Sequence, residues 1–600
     1  TRRFKRIVPL YALVLVGITA AVPFIFLRSD IPHFVDALLW AMPFAENLKL
    51  ILQTEDYFSQ VFNFNVLLHT WSLGVEIQWY LIVPFVVKTE RALADTEYRT
   101  AFTLILATGS LYVYLFSEEK VAFSFLFSRV WQFLLGSLAH ALSEGTSLPG
   151  GLIANTVYKF GIASLAILVF YNDAIPTNVA RITCTLLTGA LLYGGSFVSS
   201  QLLSNRLFVY IGDISYVLYL VHWPIIVYTK YYMNDKVEIG RNEIVFCLVT
   251  TVILSVLIHH SFEACFIRAT TRSAVIVFFL LYSILFVAVT TPLLGEAVRK
   301  IRSFYFHPDL SAAIEWNERA QHYDFPAPSG MQRDLETEKY HKYPAAPNLE
   351  GFMTGNGTAS ILMIGNSFAL GAFHAILASY EGRYKTFRLY AEVGCSMFQF
   401  LTEAKTRQFS CRAYDESWKR VIREKRPDAV IIVARDGMLL DHRITGELRE
   451  DPFFINVTQY MDFICSHAKI VVLQSHTVQP LQHASTNKTK DGPAATIAKR
   501  LQREGEIATF DDLVIPYDEF EKAQHDYRRM IFALNYSNLI IDDIGPLMCD
   551  EDKKCRMYNP RNLHAYYADM AGHFTDESLD RLMPHLKEVA SQVLKRIGQD

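Results

Sequence analysis

Residues 361–368 read Ile-Leu-Met-Ile-Gly-Asn-Ser-Phe, four apolar residues followed by a glycine, an amide and a hydroxyl, after which the chain continues Ala369-Leu370. An apolar run that stops at Gly365 and resumes as helix-forming sequence describes a buried strand, a tight turn and the first turn of a helix, with Ser367 at the corner. A serine at such a corner can present its Oγ and its own N–H to a reacting carbonyl, the geometry that acyl-transfer serines use. The same eight residues also suit a plain strand-to-helix turn with a capping serine. The distinction rests on whether the rest of the chain supplies a base.

The sequence after residue 358 offers one. Short β-branched runs at 361–364, 386–393, 429–433 and 470–473 are separated by helical stretches, and an amphipathic helix is expected over 576–597. That alternation predicts an α/β domain with a parallel sheet. Asp569-Met-Ala-Gly-His573-Phe-Thr575 lies just before the closing helix. His573 would take the proton of Ser367 and Asp569 would hold the ring tautomer, as a serine nucleophile requires. Thr575, followed by Asp576 and Glu577, also makes a fair N-cap, and the two readings are compatible. His467, His476 and His564 are isolated, and the chain shows no metal-ligand spacing and no sign of a permanently bound cofactor.

The first half is different in kind. The 600 residues are 51% hydrophobic and only 20% charged, with mean hydropathy +0.18, and the apolar residues concentrate before residue 296. Apolar segments of spanning length fall at 6–27, 65–87, 99–118, 121–142, 157–171, 180–198, 207–229, 243–262 and 274–295. Residues 31–57 are partly apolar but carry Asp36, Glu46 and Lys49, and read as an interfacial or re-entrant helix. Residues 297–358 are polar and bear Pro326, Pro328, Pro344 and Pro347, which describes a connector without a core of its own. The expected organisation is a membrane domain over 1–296 with about nine spans, a linker over 297–358 and an α/β domain over 359–600. A net charge of −3 argues against a nucleic-acid partner.

Placing Arg2, Arg3, Lys5 and Arg6 in the cytosol puts the C-terminus across the membrane after an odd number of spans. Cysteines and sequons agree with a lumenal or extracellular C-terminal domain. Cys395 with Cys411, and Cys549 with Cys555, are spaced for two local disulfides in an oxidising compartment. The glycosylation acceptors Asn356, Asn456, Asn487 and Asn535 all lie after residue 350.

Several polar residues stand where a bilayer makes them costly. Glu76 and Tyr80 share a helical face at i, i+4 within His69-Thr-Trp-Ser-Leu-Gly-Val-Glu76-Ile-Gln78-Trp-Tyr80. Arg129 could hold an anionic thioester carrier or pair with Glu76. The stretch 212–224 brings Asp213, Ser215, Tyr216, Tyr219 and His222 onto one helix, and Glu263 ends another. Helix association alone could also account for such residues.

The order RRFKRIVPLY, LLHTWSLGVEIQWYLIVP, SRVWQFLLG and IGDISYVLYLVHWP resembles the acyltransferase 3 family of multi-span membrane O-acyltransferases, over most of residues 1–265. The resemblance implies that an acyl group, usually acetyl from acetyl-CoA, is accepted on the cytosolic side and carried across the bilayer. It matches Arg2, Arg3 and Arg6 to a basic motif near the acyl-CoA entrance, and Glu76, Arg129 and Tyr219 to intramembrane polar positions. Gln132 stands where the family often has glutamate. Family members begin with two further spans, the first with a histidine, so a chain opening Thr1-Arg2-Arg3, without initiator methionine or signal-peptide layout, reads as a fragment.

Residues 350–600 resemble the SGNH hydrolase family, in the version fused behind acyltransferase 3 domains. Gly365-Asn366-Ser367-Phe368 matches the nucleophile block, with Asn366 in place of the usual aspartate. Gly394-Cys395 matches the block whose glycine N–H helps form the oxyanion hole, and whose cysteine the fused version pairs locally. Ala434-Arg435-Asp436 replaces the block that carries an oxyanion asparagine, so Arg435 is the substitute donor. The last block places aspartate three residues before histidine. Here Met570 stands there and Asp569 is four before.

These features predict a membrane O-acyltransferase that moves an acyl group from acyl-CoA across the bilayer, through a Ser367 acyl-enzyme, to a hydroxyl acceptor such as a glycan. A membrane-tethered esterase, with water as acceptor, uses the same residues. A non-catalytic transporter or lipid-binding scaffold is the remaining reading.

Overall fold

The computed structural model describes residues 2–52, 65–93, 95–144, 152–170, 176–195, 204–233, 240–322, 330–333, 350–398, 411–477 and 491–599. The chain forms two compact units that divide between Ile301 and Arg302.

The first unit is helical. Six helices among the described residues are long and apolar enough to cross a membrane: Arg2–Ile25, Thr70–Ala92, Thr96–Phe116, Arg206–Met233, Arg241–Ile258 and Thr271–Thr290. Leu126–Glu144, Leu152–Phe170 and Thr177–Gly195 occupy the three other stretches read as spans, at 19 residues each. Helix Arg2–Ile25 is internal: Leu10, Tyr11, Ala12, Leu15 and Val22 are almost without exposure. By contrast Val245, Leu248 and Val252 on one outer helix, and Phe279, Leu280 and Phe286 on another, face outward. An apolar exterior over closed backbone hydrogen bonding is what a lipid environment demands. The 31–57 stretch contains helices Ile31–Ala41 and Glu46–Leu52. Glu46 and Lys49 are buried inside the unit: Lys49 Nζ pairs with the exposed Asp36 at 2.8 Å, and Glu46 Oε1 accepts from Asn65 at 3.0 Å.

The second unit is built on a seven-stranded sheet in the order β1-β2-β4-β3-β5-β6-β8. The strands are β1 Gln332–Arg333, β2 Glu350–Thr354, β3 Ser360–Gly365, β4 Thr386–Ala391, β5 Ala429–Val433, β6 Ile470–Gln474 and β8 Leu539–Asp542. From β4 to β8 every pairing is parallel, and β1 and β2 add an antiparallel edge. The short β7 Val514–Pro516 and β9 Lys554–Arg556 form a separate antiparallel pair. Helices cover both faces, which is why β3, β5 and β6 are near-continuous apolar runs instead of alternating ones. Ile361, Leu362, Met363 and Ile364 are each at most 1% exposed, and each such side chain contributes roughly 1.5–3 kcal/mol of burial.

Two sequence expectations change here. Residues 297–305 and 308–320 of the expected connector are helical, ending Leu293–Tyr305 and forming Pro308–Ala320. Ala313 and Ile314 are buried within the second unit, so an apolar content too small for its own core is enough to join an existing one. The four connector prolines lie outside the described residues. The edge strands β1 and β2, and β8, were not anticipated: two-residue and polar-flanked strands carry little periodicity.

Candidate active site

In the sheet, β3 is flanked by β4 on one side and β5 on the other: the chain moves outward from β3 to β4 and then crosses back to β5, so the strand order reverses at β3. The carboxyl ends of strands around such a reversal form a crevice. Gly365 closes β3 there. A Cβ on it would stand 1.8 Å from the Val433 carbonyl oxygen, so any larger residue would push β3 away from β5.

Helix Ser367–Ser379 starts at once, and Asn366 is its N-cap: its Oδ1 accepts from the Phe368 N–H at 3.2 Å. The capping-serine reading therefore gives way, because the cap is the preceding amide and the Ser367 hydroxyl is available for another partner. Asn366 Nδ2 donates to the Cys395 carbonyl at 3.2 Å and to the Arg435 carbonyl at 2.8 Å. The residue that departs from the usual aspartate thus ties together the ends of β3, β4 and β5.

His573 Nε2 lies 2.8 Å from Ser367 Oγ, and His573 Nδ1 lies 2.7 Å from Asp569 Oδ2. The four-residue spacing brings the carboxylate to the ring because 569–573 is a tight turn. Asp569 Oδ1 accepts from the backbone N–H groups of Gly572 at 3.0 Å and His573 at 3.2 Å. Burial raises the Asp569 pKa, but the hydrogen bond and charge of His573 and the two backbone N–H groups outweigh it and hold the carboxyl below its ordinary value. Phe368 stacks on the imidazole, with ring centroids 4.4 Å apart.

Gly394 sits in the turn after β4 at φ +76°. Cys395 is disulfide-bonded to Cys411, and Cys549 to Cys555. The Arg435 guanidinium donates to the Ala571 carbonyl and lies 6.0 Å from the centre of the Phe368 ring, so it braces the turn that carries the base. Gly492, unremarked in the sequence, backs the same turn: a Cβ there would meet Asp569 Cα at 2.4 Å. Asn356 and Asn535 are exposed and Asn456 partly so, while Asn487 lies outside the described residues.

Behind Arg435 a cavity of about 30 Å³ is lined by His476, Gln474, Gly572 and Phe574, among others, space for one water molecule. Burial, and then the Arg435 charge, push the His476 ring down from 6.5 to about 3. A folded-state value below the unfolded one means that the unfolded chain binds the extra proton across that window, so stability falls as pH drops from about 6.5 toward 3. His476→Asn is expected to flatten this loss, measured as thermal unfolding of the detergent-solubilised protein at pH 7 and pH 4.5.

The first unit holds a second cluster. A cavity of about 870 Å³ is lined by Arg3, Arg6, Glu76 and Tyr219, together with Lys5, Ser72 and Tyr216. Arg3 donates to the Tyr80 hydroxyl, which donates to Glu76, the pairing that the i, i+4 spacing predicts. Arg6 Nε donates to Glu263 at 3.0 Å, and Glu263 is itself 2.7 Å from His259 Nδ1. Tyr219 contacts Ser72 Oγ at 2.9 Å. Arg129 is not among the cavity-lining residues. It donates to the Phe123 carbonyl at 2.8 Å and to Gln132 at 3.2 Å, which replaces the pairing with Glu76 considered above. Gln132, in the usual glutamate position, accepts that bond. Nothing is described of the Arg2 side chain.

Fold and site together define the class, a multi-helix membrane domain followed by an α/β domain of the SGNH type. Residues 1–260 match the family model described as an acyltransferase domain, and residues 336–588 match that of the SGNH domain fused to AT3 domains. The chain therefore carries an acyltransferase 3 domain followed by the SGNH domain that is found fused to such domains. An uncharacterized protein of Haemophilus influenzae is 34% identical over 125 residues, 21% of this chain and 49% of that protein. The O-acetyltransferase OatA of Staphylococcus aureus is 26% identical over 256 residues, 40% of this chain and 42% of that protein. The matched regions thus span at most about half the length of these curated relatives. No solved structure matches the chain.

Proposed function

We propose that the protein is a membrane O-acyltransferase in which Ser367 carries the acyl group as an ester before a hydroxyl acceptor receives it. The observation that carries this reading is the hydrogen-bonded order Ser367–His573–Asp569, at 2.8 and 2.7 Å. Ser367 Oγ attacks the acyl carbonyl carbon as its proton passes to His573 Nε2. The bond from that carbon to the donor's sulfur or oxygen breaks, and the departing atom takes the proton. In the second half an acceptor hydroxyl gives its proton to His573 and attacks the ester, and His573 returns the proton to the leaving Ser367 Oγ. The developing oxyanion would lie at the start of helix Ser367–Ser379, where the Ser367 N–H and the helix dipole favour negative charge. The Gly394 N–H is the candidate second donor.

In the first unit, the cavity bearing Arg3, Arg6 and Lys5 suits an anionic acyl donor, for which acyl-CoA, and acetyl-CoA in particular, is the proposal. The two disulfides favour an extracytoplasmic α/β domain. A glycan is the proposed acceptor, in keeping with the O-acetyltransferase name of the staphylococcal relative.

The test is to supply acyl-labelled acetyl-CoA to membranes containing the full chain and to map the label. The expected result is acylation of the peptide containing residues 361–368, discharged on addition of acceptor. Acceptor acylation with no label passing through Ser367 would overturn the scheme, and label released to water whatever acceptor is present would favour the esterase.

A further inference from the structure

The Asp569 and His573 side chains belong to neither sheet. They sit at the tip of a separate hairpin, whose arms pair through Ala568 N–H to the His573 carbonyl at 2.9 Å and Thr575 N–H to the Tyr566 carbonyl at 3.1 Å. The tip is braced by Arg435 and Gly492, as described. Its base is held by a residue more than 240 positions earlier. Asn317, in helix Pro308–Ala320 and with no exposed surface, accepts from the Ala565 N–H through Oδ1 at 2.9 Å. Its Nδ2 donates to the Leu563 carbonyl at 2.8 Å and to the Ala313 carbonyl of its own helix at 2.9 Å.

These bonds use both amide donors and one of the two acceptor positions on the oxygen. Leu563 has φ +60°, a left-handed conformation that a branched residue adopts only when its surroundings impose it. Ala565 then passes the constraint across the hairpin, because its carbonyl accepts from Thr575 Oγ at 2.6 Å, two residues beyond His573. The Thr575 hydroxyl, expected from the sequence to cap helix Asp576–Arg596, makes this bond. The neighbouring Trp316 stacks on His564 with centroids 4.2 Å apart, and Glu318 accepts two bonds from Arg302 at 2.7 and 2.8 Å. Three successive residues of one helix therefore fasten it to the hairpin base and to the end of the preceding helix.

We infer that Asn317 is a positioning residue for the acid–base pair: it sets where the 565–575 hairpin stands, and so keeps His573 Nε2 within reach of Ser367 Oγ. The inference rests on the Ser367–His573–Asp569 reading above. A displacement of the base by about 1 Å is enough to cost on the order of a hundredfold in a proton-transfer step, with little effect on binding.

The test uses the full chain in detergent and a serine-directed fluorophosphonate, with the maximal labelling rate and the half-saturating concentration measured separately. Asn317→Ala is expected to lower the maximal rate by tenfold to a hundredfold and to leave half-saturation within about twofold. Asn317→Asp, which keeps the acceptor for Ala565, is expected to recover part of the rate. Thr575→Val should produce a similar loss, and the double variant should lose no more than the larger single, because both act through Ala565. Hydrogen exchange gives a readout apart from chemistry: in Asn317→Ala the amides of 565–568 and 573–575 should exchange faster while those of β3 and β5 are unchanged. If Asn317→Ala fails to fold, its β3 and β5 amides lose protection too, and the decision passes to Asn317→Asp and Thr575→Val. Wild-type labelling rates in the folded Asn317 variants, or additive losses in the double variant, would overturn the positioning role alone. Failure of the wild-type protein to label, or undiminished labelling of Ser367→Ala, would overturn the underlying nucleophile and this inference with it.

Discussion

Ser367→Ala is expected to reduce acceptor acylation by about 10⁴-fold or more, while the protein remains in the membrane and its first unit is unchanged. Ser367 is 8% exposed and stands at the head of a helix whose cap is Asn366, so removing one hydroxyl breaks no cap. The loss would therefore be chemical, not structural. Acylation of acceptor by membranes carrying the variant, against the same amount of wild-type protein, is the measurement. If the first unit passed its acyl group to the acceptor directly, the variant would keep most of its activity, and the serine relay would be wrong.

Asp569→Asn is the second large effect, an expected loss of about 10²- to 10⁴-fold in the rate of Ser367 acylation. The amide can still accept from the Gly572 and His573 N–H groups, so the turn should survive. It cannot supply the charge that stabilises a protonated ring, and it can present an N–H to Nδ1, which favours the wrong tautomer. The pH dependence separates this residue from others. Because the Asp569 pKa lies below its ordinary value in the folded protein, its contribution to stability is present above the unfolded-state value and disappears as pH falls through the folded one. Across neutral and mildly acid pH it stays ionised, so the acid limb of activity should belong to another group. The plateaus of the rate–pH profiles of wild type and Asp569→Asn are expected to differ in height by that factor.

Much of the second unit could be read from its residues. The runs at 361–364, 429–433 and 470–473 correspond to β3, β5 and β6 within about a residue at either end, because strands buried on both faces need unbroken β-branched and aliphatic sequence. The closing helix starts at Asp576 as expected. The pairing of Glu76 with Tyr80 was legible for a similarly local reason, since i, i+4 residues meet on any helix. Asn317 and Gly492 carried no such signal. One is an asparagine in a stretch that reads as connector, the other a glycine among polar residues, and each matters only because a segment distant in sequence comes against it. Arg129 illustrates the converse: a charge in an apolar stretch needs a partner, but the sequence does not say that the partners are the Phe123 carbonyl and Gln132.

The amino-acid sequence by itself determined the division into an apolar half and an α/β half, the strand that ends at Gly365, and the presence of a hydroxyl, an imidazole and a carboxylate in the second half. Those follow from hydropathy, periodicity and side-chain chemistry, which are local. Only the tertiary structure decided that Ser367, His573 and Asp569 meet, that the four-residue spacing of Asp569 and His573 is compatible with their bond, and that Asn366 takes over the cap and leaves the serine hydroxyl to the imidazole. Those depend on distances of a few tenths of an ångström between segments some 200 residues apart, which are set by the packing of the sheet, the hairpin and helix Pro308–Ala320 together.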